Sequence, residues 1–212
     1  MKQIPAKANL EAQETFKTQT LEPLVEQAQA GEIALFFVDA AHFVMQPFLG
    51  YLYSLVVRFV NVSSGRQRFS VLGALNAITK EVVTITEHGY INAVSVCELL
   101  QKLHDLCRHL PIVVVLDNAR YQRCALVAEK ALKLKIQIVF LPSYSPNLNL
   151  IERLWKFVKK KVLYNQYYPK YEEFHQAISD CLAQTGTTYK QDLDTLLLAK
   201  FQSFKNATIN PS

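Results

Sequence analysis

Two apolar runs in this sequence each end on an aspartate, Phe36-Phe37-Val38-Asp39 and Val114-Val115-Leu116-Asp117, and Glu152 stands at the start of a later helical segment. Ligands of sheets with parallel strands bind beyond the strands' carboxyl ends, so acids that close two adjacent parallel strands meet in one place. Carboxylates held that close repel, and one of them takes up a proton unless a cation intervenes. Hard divalent cations with all-oxygen ligands remove the conflict, and Mg2+ or Mn2+ fits such a site. Taken singly, each aspartate reads more ordinarily as a turn or helix-cap residue. Glu152 likewise reads as the acid of a capping box whose N-cap is Asn149. It is the pairing of two strand-end aspartates that favours a metal site.

The elements that must carry these acids are legible from periodicity. Residues 33–38, 111–117 and 136–141 are short, continuous apolar runs rich in β-formers, the pattern of strands buried on both faces. Residues 52–62, 68–78 and 81–86 are strand-like as well, and the short Thr79-Lys80 break between the last two predicts antiparallel pairing. Apolar residues recur at helical spacing from Val94 to Leu110, where Pro111 stops the helix, and residues 120–134 and 150–163 also read as helices. Residues 142–149 form a loop punctuated by two prolines. Two more helices are expected near residues 171–183 and 189–204. The predicted fold class is α/β: a mixed sheet of three antiparallel strands followed by two parallel strands, with helices on both faces and right-handed crossovers between the later strands.

At 212 residues, half of them hydrophobic, the chain holds material for one sizeable core. Its apolar runs are too short to cross a bilayer, and the N-terminus lacks a signal-peptide core, so a cytoplasmic location is expected. Cys97, Cys107, Cys124 and Cys181 show neither a C-x-x-C pair nor a His at metal-ligand spacing, which argues against a disulfide framework or a zinc site. The formal charge of +5 is unevenly spread: residues 117–170 hold eleven Lys or Arg against three acids, and the remainder twelve against fifteen. A concentrated basic field of this kind is the footprint of a phosphate-backbone partner, though a solvated surface also produces it.

Three segments carry a family likeness. Phe36-Phe37-Val38-Asp39-Ala40-Ala41-His42, Leu116-Asp117-Asn118-Ala119-Arg120 and Leu141-Pro142-Ser143-Tyr144-Ser145-Pro146-Asn147-Leu148-Asn149-Leu150-Ile151-Glu152-Arg153-Leu154-Trp155 resemble those of DDE transposases of bacterial insertion sequences in the mariner-like superfamily. The 34 residues between Asp117 and Glu152 equal that branch's spacing. The chain departs from the family at Ala40, where a second acid is common, at Gln122, where His is common, and at Leu150, where Pro is frequent; none of these removes an acid. The resemblance implies an RNase H-like fold in which Asp39, Asp117 and Glu152 are catalytic and bind two divalent metal ions, Mg2+ or Mn2+. It also implies double-stranded DNA as partner, both element ends and TA-containing target, a homodimer assembled on DNA, and a bacterial, nucleoid-associated setting.

The chemistry of such a site is in-line phosphoryl transfer, and the resemblance implies that it serves to cut and rejoin DNA strands in cut-and-paste transposition of an insertion sequence. The absence of a G-x-x-x-x-G-K-S/T loop agrees with chemistry that needs no nucleotide hydrolysis. On residues 150–163, Ile151, Leu154, Trp155, Val158 and Val162 share one helical face, while Glu152, Lys156 and Lys159 share another. Trp155 is therefore expected in the core, and Lys156, Lys159 and Lys160, with Arg120 and Arg153, are expected to contact DNA phosphates. Competing readings are a catalytically silent DNA-binding remnant, disfavoured by the three intact acids, and another RNase H-like nuclease, disfavoured by the loop and the spacing. The expected organisation is a linker helix over residues 1–31, the catalytic domain over 32–168, C-terminal helices packing on it over 169–205 and a frayed tail over 206–212. About thirty residues precede Ile33, too few for a helix-turn-helix with its own core, so this chain by itself is expected to lack sequence-specific end recognition, the helix-turn-helix part being either encoded in a separate or frameshifted reading frame or lost.

Overall fold

In the computed structural model, which describes residues 8–46, 56, 59, 67–87 and 89–201, the central strand is β1 (Ala34–Val44). It pairs antiparallel with β2 (Arg68–Asn76), which pairs antiparallel with β3 (Val82–Glu87). On its other side β1 pairs parallel with β4 (Ile112–Leu116), and β4 with β5 (Ile136–Phe140), giving the order β3-β2-β1-β4-β5. This is the mixed sheet expected from the sequence, three antiparallel strands and then two parallel ones. The strand-like run at residues 52–62 and the tail at 206–212 lie outside the described residues.

Side chains alternate across a strand, so one sheet supplies two cores. Leu35, Phe37, Phe43, Val71 and Val115 face one side, covered by α2 (Glu22–Gln29), α5 (Ile151–Val162), α6 (Tyr171–Ala183) and α7 (Lys190–Leu196). Phe36, Val38, Leu72, Val114 and Leu116 face the other, covered by α3 (Ala93–Leu106) and α4 (Ala125–Leu134). Helices thus lie on both faces. None among the described residues is long and apolar enough to cross a membrane, and all four cysteines are free.

Several boundaries differ from the sequence expectation, each for a local reason. β1 does not stop at Asp39; β2 continues to offer it hydrogen bonds as far as the Val44–Arg68 pair, whereas pairing with β4 ends at Phe37–Val115. The turn between β2 and β3 is tied by the Asn76 carboxamide oxygen, which accepts from the amides of Ile78 (2.9 Å) and Thr79 (3.0 Å) and shortens β2. α3 begins with a reciprocal Asn92–Ser95 capping box and ends at Leu106, before Pro111. α4 begins at Ala125 rather than Arg120, because residues 119–123 are spent on two tight backbone turns. β5 is the sheet edge and only half buried, not sealed on both faces.

The N-terminal segment is folded onto this frame. After α1 (Leu10–Phe16), a π-helical turn over Lys17–Leu21 leads into α2, and Leu21, Val25 and Ala28 enter the core beneath α5. The helix read from sequence as a linker therefore buries apolar surface against the sheet.

Gly73 on β2 lies opposite Asp39 on β1, under the indole of Trp155 from α5. A Cβ at position 73 would stand 2.6 Å from Trp155 Cη2 and 2.8 Å from Cζ2. The indole has no room to retreat, since Trp155 is 2% exposed and packs edge-on against Phe43. Gly73→Ala is expected to lower the urea midpoint by the equivalent of about 1–3 kcal/mol, the usual cost of overpacking, and to shift the emission of this single tryptophan. An unchanged midpoint would count against the close approach.

Candidate active site

The parallel register of β1 and β4 sets the site. Ala34 lies level with Ile112 and each following pair keeps step to Phe37–Val115, so two residues further on Asp39 comes level with Asp117. Alternation puts both acids on the sheet face that holds Phe37 and Val115, the face under α5. Glu152, in the first turn of α5, joins them. The three carboxylate residues line one cleft of about 370 Å³ together with Asn118, Asn149 and the loop from Leu141 to Pro146. The three acids singled out from sequence are thus brought together.

The loop that delivers Glu152 is held from several sides. Its Pro146–Leu148 turn buries Leu148, and Leu150 and Ile151 follow into the core. Asn149 does not cap α5: its Nδ2 donates to the Val38 carbonyl at 3.2 Å, and the helix starts without a side-chain cap. The capping-box alternative for Glu152 is therefore not realised, and its carboxylate is left to the cleft. Asn118 donates Nδ2 to the Leu141 carbonyl, and Gln13 of α1 donates Nε2 to the Tyr144 carbonyl at 3.1 Å while accepting from Asn147 Nδ2 at 3.2 Å. Tyr144 takes a left-handed conformation, φ 58°, within this loop.

Electrostatics mark the cleft as a place where negative charge is crowded. Burial, and then repulsion from Glu152 and Asp117, raises the Asp39 carboxyl to about 7, against smaller opposing pulls from the Ala40 backbone and the Trp155 indole N–H, which donates to Oδ2 at 3.1 Å. Burial first, then the same field from Asp117 and Asp39, pushes the Tyr121 hydroxyl up to about 12. Among the described residues no three acidic, His or Cys side chains are drawn into a preformed metal cage. The donor set is nevertheless all oxygen, and its uncompensated repulsion is the kind a hard divalent cation relieves.

The other residues picked out from sequence fall in different places. Trp155 is in the core as expected, and sequence reasoning missed that its N–H also reaches Asp39. His42 lies three residues beyond Asp39, so strand alternation turns it to the other face, where Nδ1 meets Ser70 Oγ at 3.0 Å. Burial, then Arg68 and Lys159, lowers its pKa. Gln122 is buried and lines a separate groove between α4 and β5. Lys156 and Lys160 are exposed on α5, Arg120 is exposed in the loop after Asp117, and Lys159 is half-buried with its ammonium 6.0 Å from the Phe43 ring centre. Arg153 donates to the carbonyls of Leu196 (3.3 Å), Leu198 (2.7 Å) and Lys200, so its guanidinium is engaged by the chain's own C-terminal segment. Asn149 and Gln13 were also missed; the Asn149 signal was ambiguous because an Asn before a helix ordinarily caps it.

The architecture has solved counterparts. A mariner Mos1 paired-end complex with Mg is 14% identical, with a TM-score of 0.62 over 95% of this chain and 66% of that one. The Mos1 strand transfer complex is 15% identical, with a TM-score of 0.58 over 88% of this chain and 65% of that one. A simian T-cell lymphotropic virus intasome bound to the PP2A regulatory subunit B56 gamma is 12% identical, with a TM-score of 0.52 over 73% and 49%. The fold is accordingly RNase H-like, and the chain spans about two thirds of the length of the Mos1 proteins. No curated protein sequence matches it. The profile of the DDE superfamily endonucleases matches residues 34–175, and the chain belongs to that family.

The raised Asp39 carboxyl makes cation-free stability pH-dependent. Because its folded value lies above the ordinary one, the folded protein keeps a proton that the unfolded chain releases between pH 3.8 and about 7, and stability falls as pH rises through that window. Asp39→Asn keeps an acceptor for the indole and removes the titration. In EDTA, this variant is expected to match the parent near pH 4 and to exceed it by about 4 kcal/mol at pH 8 in urea denaturation. Parallel pH profiles for the two proteins would refute the assignment.

Proposed function

We propose that this chain is the catalytic domain of a DNA transposase that cleaves DNA strands and transfers them in cut-and-paste transposition of an insertion sequence. The observation that carries this reading is the convergence in one cleft of Asp39 from β1, Asp117 from the position just after β4, and Glu152 from the first turn of α5. Support comes from the solved proteins with this fold, which include a Mos1 strand transfer complex, Mos1 paired-end complexes with Mg and with Mn, and a viral intasome. The domain spans residues 32–168, with α2, α6 and α7 packed on it.

Asp39, Asp117 and Glu152 would hold two divalent cations, Mg2+ or Mn2+, whose chemistry is to activate a water or 3′-hydroxyl and to stabilise the leaving oxygen. The chain's own contribution is positioning. Trp155 fixes the Asp39 carboxylate through Oδ2, and the Asn118 and Asn149 amides tie the loop to the strands that carry the aspartates. Arg120, in the loop after Asp117, and Lys156, Lys159 and Lys160, on the helix that carries Glu152, contact the phosphates of double-stranded DNA, both element ends and TA-containing target. Two copies act together on paired ends.

Alanine at Asp39, Asp117 or Glu152 is expected to lower Mg2+-dependent cleavage of an end-containing duplex by on the order of 10²–10³-fold or more, with circular dichroism unchanged. Near-parental cleavage by any one variant removes that residue from the site. Changing Lys156 and Lys159 together to Ala is expected to weaken DNA binding for all sequences and to flatten the slope of log affinity against log salt by about one to two. If the slope stays the same, those lysines make no phosphate contact.

A further inference from the structure

Asn149 has one half of its carboxamide accounted for and the other half not. Its side chain is 4% exposed and lines the carboxylate cleft. Nδ2 donates to the Val38 carbonyl at 3.2 Å, one residue before Asp39. Oδ1 is buried and has no hydrogen-bond partner among the described residues. Chemistry fixes which end is which: a carbonyl oxygen only accepts, so the NH2 group must face Val38 and the oxygen must face away from it.

A buried acceptor without a donor is costly, and natural proteins keep few of them. Among the described residues no group donates to this oxygen. Asp39, Asp117 and Glu152 are acceptors once ionised, and the other amide lining the cleft, Asn118, spends Nδ2 on the Leu141 carbonyl. Carboxamide oxygens are ordinary ligands of hard divalent cations. A neutral oxygen also adds coordination without a fourth negative charge, in a cleft where three carboxylates already repel.

We propose that Asn149 Oδ1 is an additional oxygen ligand for a divalent cation at the Asp39–Asp117–Glu152 site, an inference that rests on the metal-dependent reading given above. Asn149 then serves two purposes at once. Its nitrogen hooks the loop before α5 to β1 beside Asp39, and its oxygen completes the donor set three residues ahead of Glu152, so the two ligand-bearing elements are coupled through one side chain.

Mn2+ titration of the isolated chain, followed by the electron paramagnetic resonance of free Mn2+ without DNA or turnover, tests this. Asn149→Ala and Asn149→Asp both lose the donor to Val38, and urea denaturation in EDTA is expected to show a similar stability loss in each. Mn2+ affinity is expected to fall about tenfold or more in Asn149→Ala and to stay at or above the parental value in Asn149→Asp, which retains an oxygen. Parental affinity in Asn149→Ala would show that the residue is only a hook. Equal weakening in the two variants would assign the effect to the lost Val38 bond and overturn the proposal. Asp39→Asn is the control for the underlying reading: if it binds Mn2+ as the parent does, the metal site itself is wrong, whatever Asn149 does.

Discussion

The structure turns on the parallel register between β1 and β4, which sets two aspartates level on adjacent strands. The resulting crowding shows in the Asp39 carboxyl, which burial first, then Glu152 and Asp117, raises to about 7. A fold tolerates such a feature only where the surrounding packing over-determines it. β1 is held on both sides, by the antiparallel ladder to β2 that runs from Asn76 to Arg68 and by the shorter parallel ladder to β4. The repulsion cannot be relieved by the strands sliding, because a one-residue slip would turn Phe37 and Val115 out of one core and Phe36 and Val114 out of the other.

Helix α5 joins that strained pair to the rest of the molecule. Its apolar face, with Ile151, Leu154, Trp155 and Val158, is fully committed to the core, which fixes the helix rotation and so the direction of Glu152. Gly73 lets the Trp155 ring lie against β2, close enough for its N–H to reach Asp39. The same rotation leaves Lys156 and Lys160 in water.

Both ends of the described chain return to this region. Gln13 of α1 bridges the Tyr144 carbonyl and Asn147, and Arg153 gathers the carbonyls of Leu196, Leu198 and Lys200. These contacts use polar side chains as internal fasteners, so the segments flanking the catalytic core bear directly on its loop and on α5. Lys161 is similarly committed, paired with Asp192 of α7 at 3.3 Å. The basic charge counted in the sequence is thus divided between the chain's own packing and the solvent-facing surface.

The sequence by itself determined the acids, the strand and helix types and the order of the sheet's antiparallel and parallel parts, because these follow from local composition and from periods of two and 3.6 residues. Two apolar runs each closing on an aspartate were legible without any contact being known. Strand ends were not: whether β1 stops at Asp39 or runs on to Val44 depends on what β2 offers it, a partner some thirty residues away in sequence. The choice between Asn149 as a helix cap and Asn149 as a hook on Val38 was equally non-local, since both uses satisfy the same side chain and only the position of β1 selects one. Arg153 and Lys156 are indistinguishable as sequence, three residues apart on one helix, yet one meets backbone carbonyls and the other meets water. What only the tertiary structure decided is which polar groups find partners inside the protein, because that depends on distances between segments remote in the chain, which residue spacing does not encode.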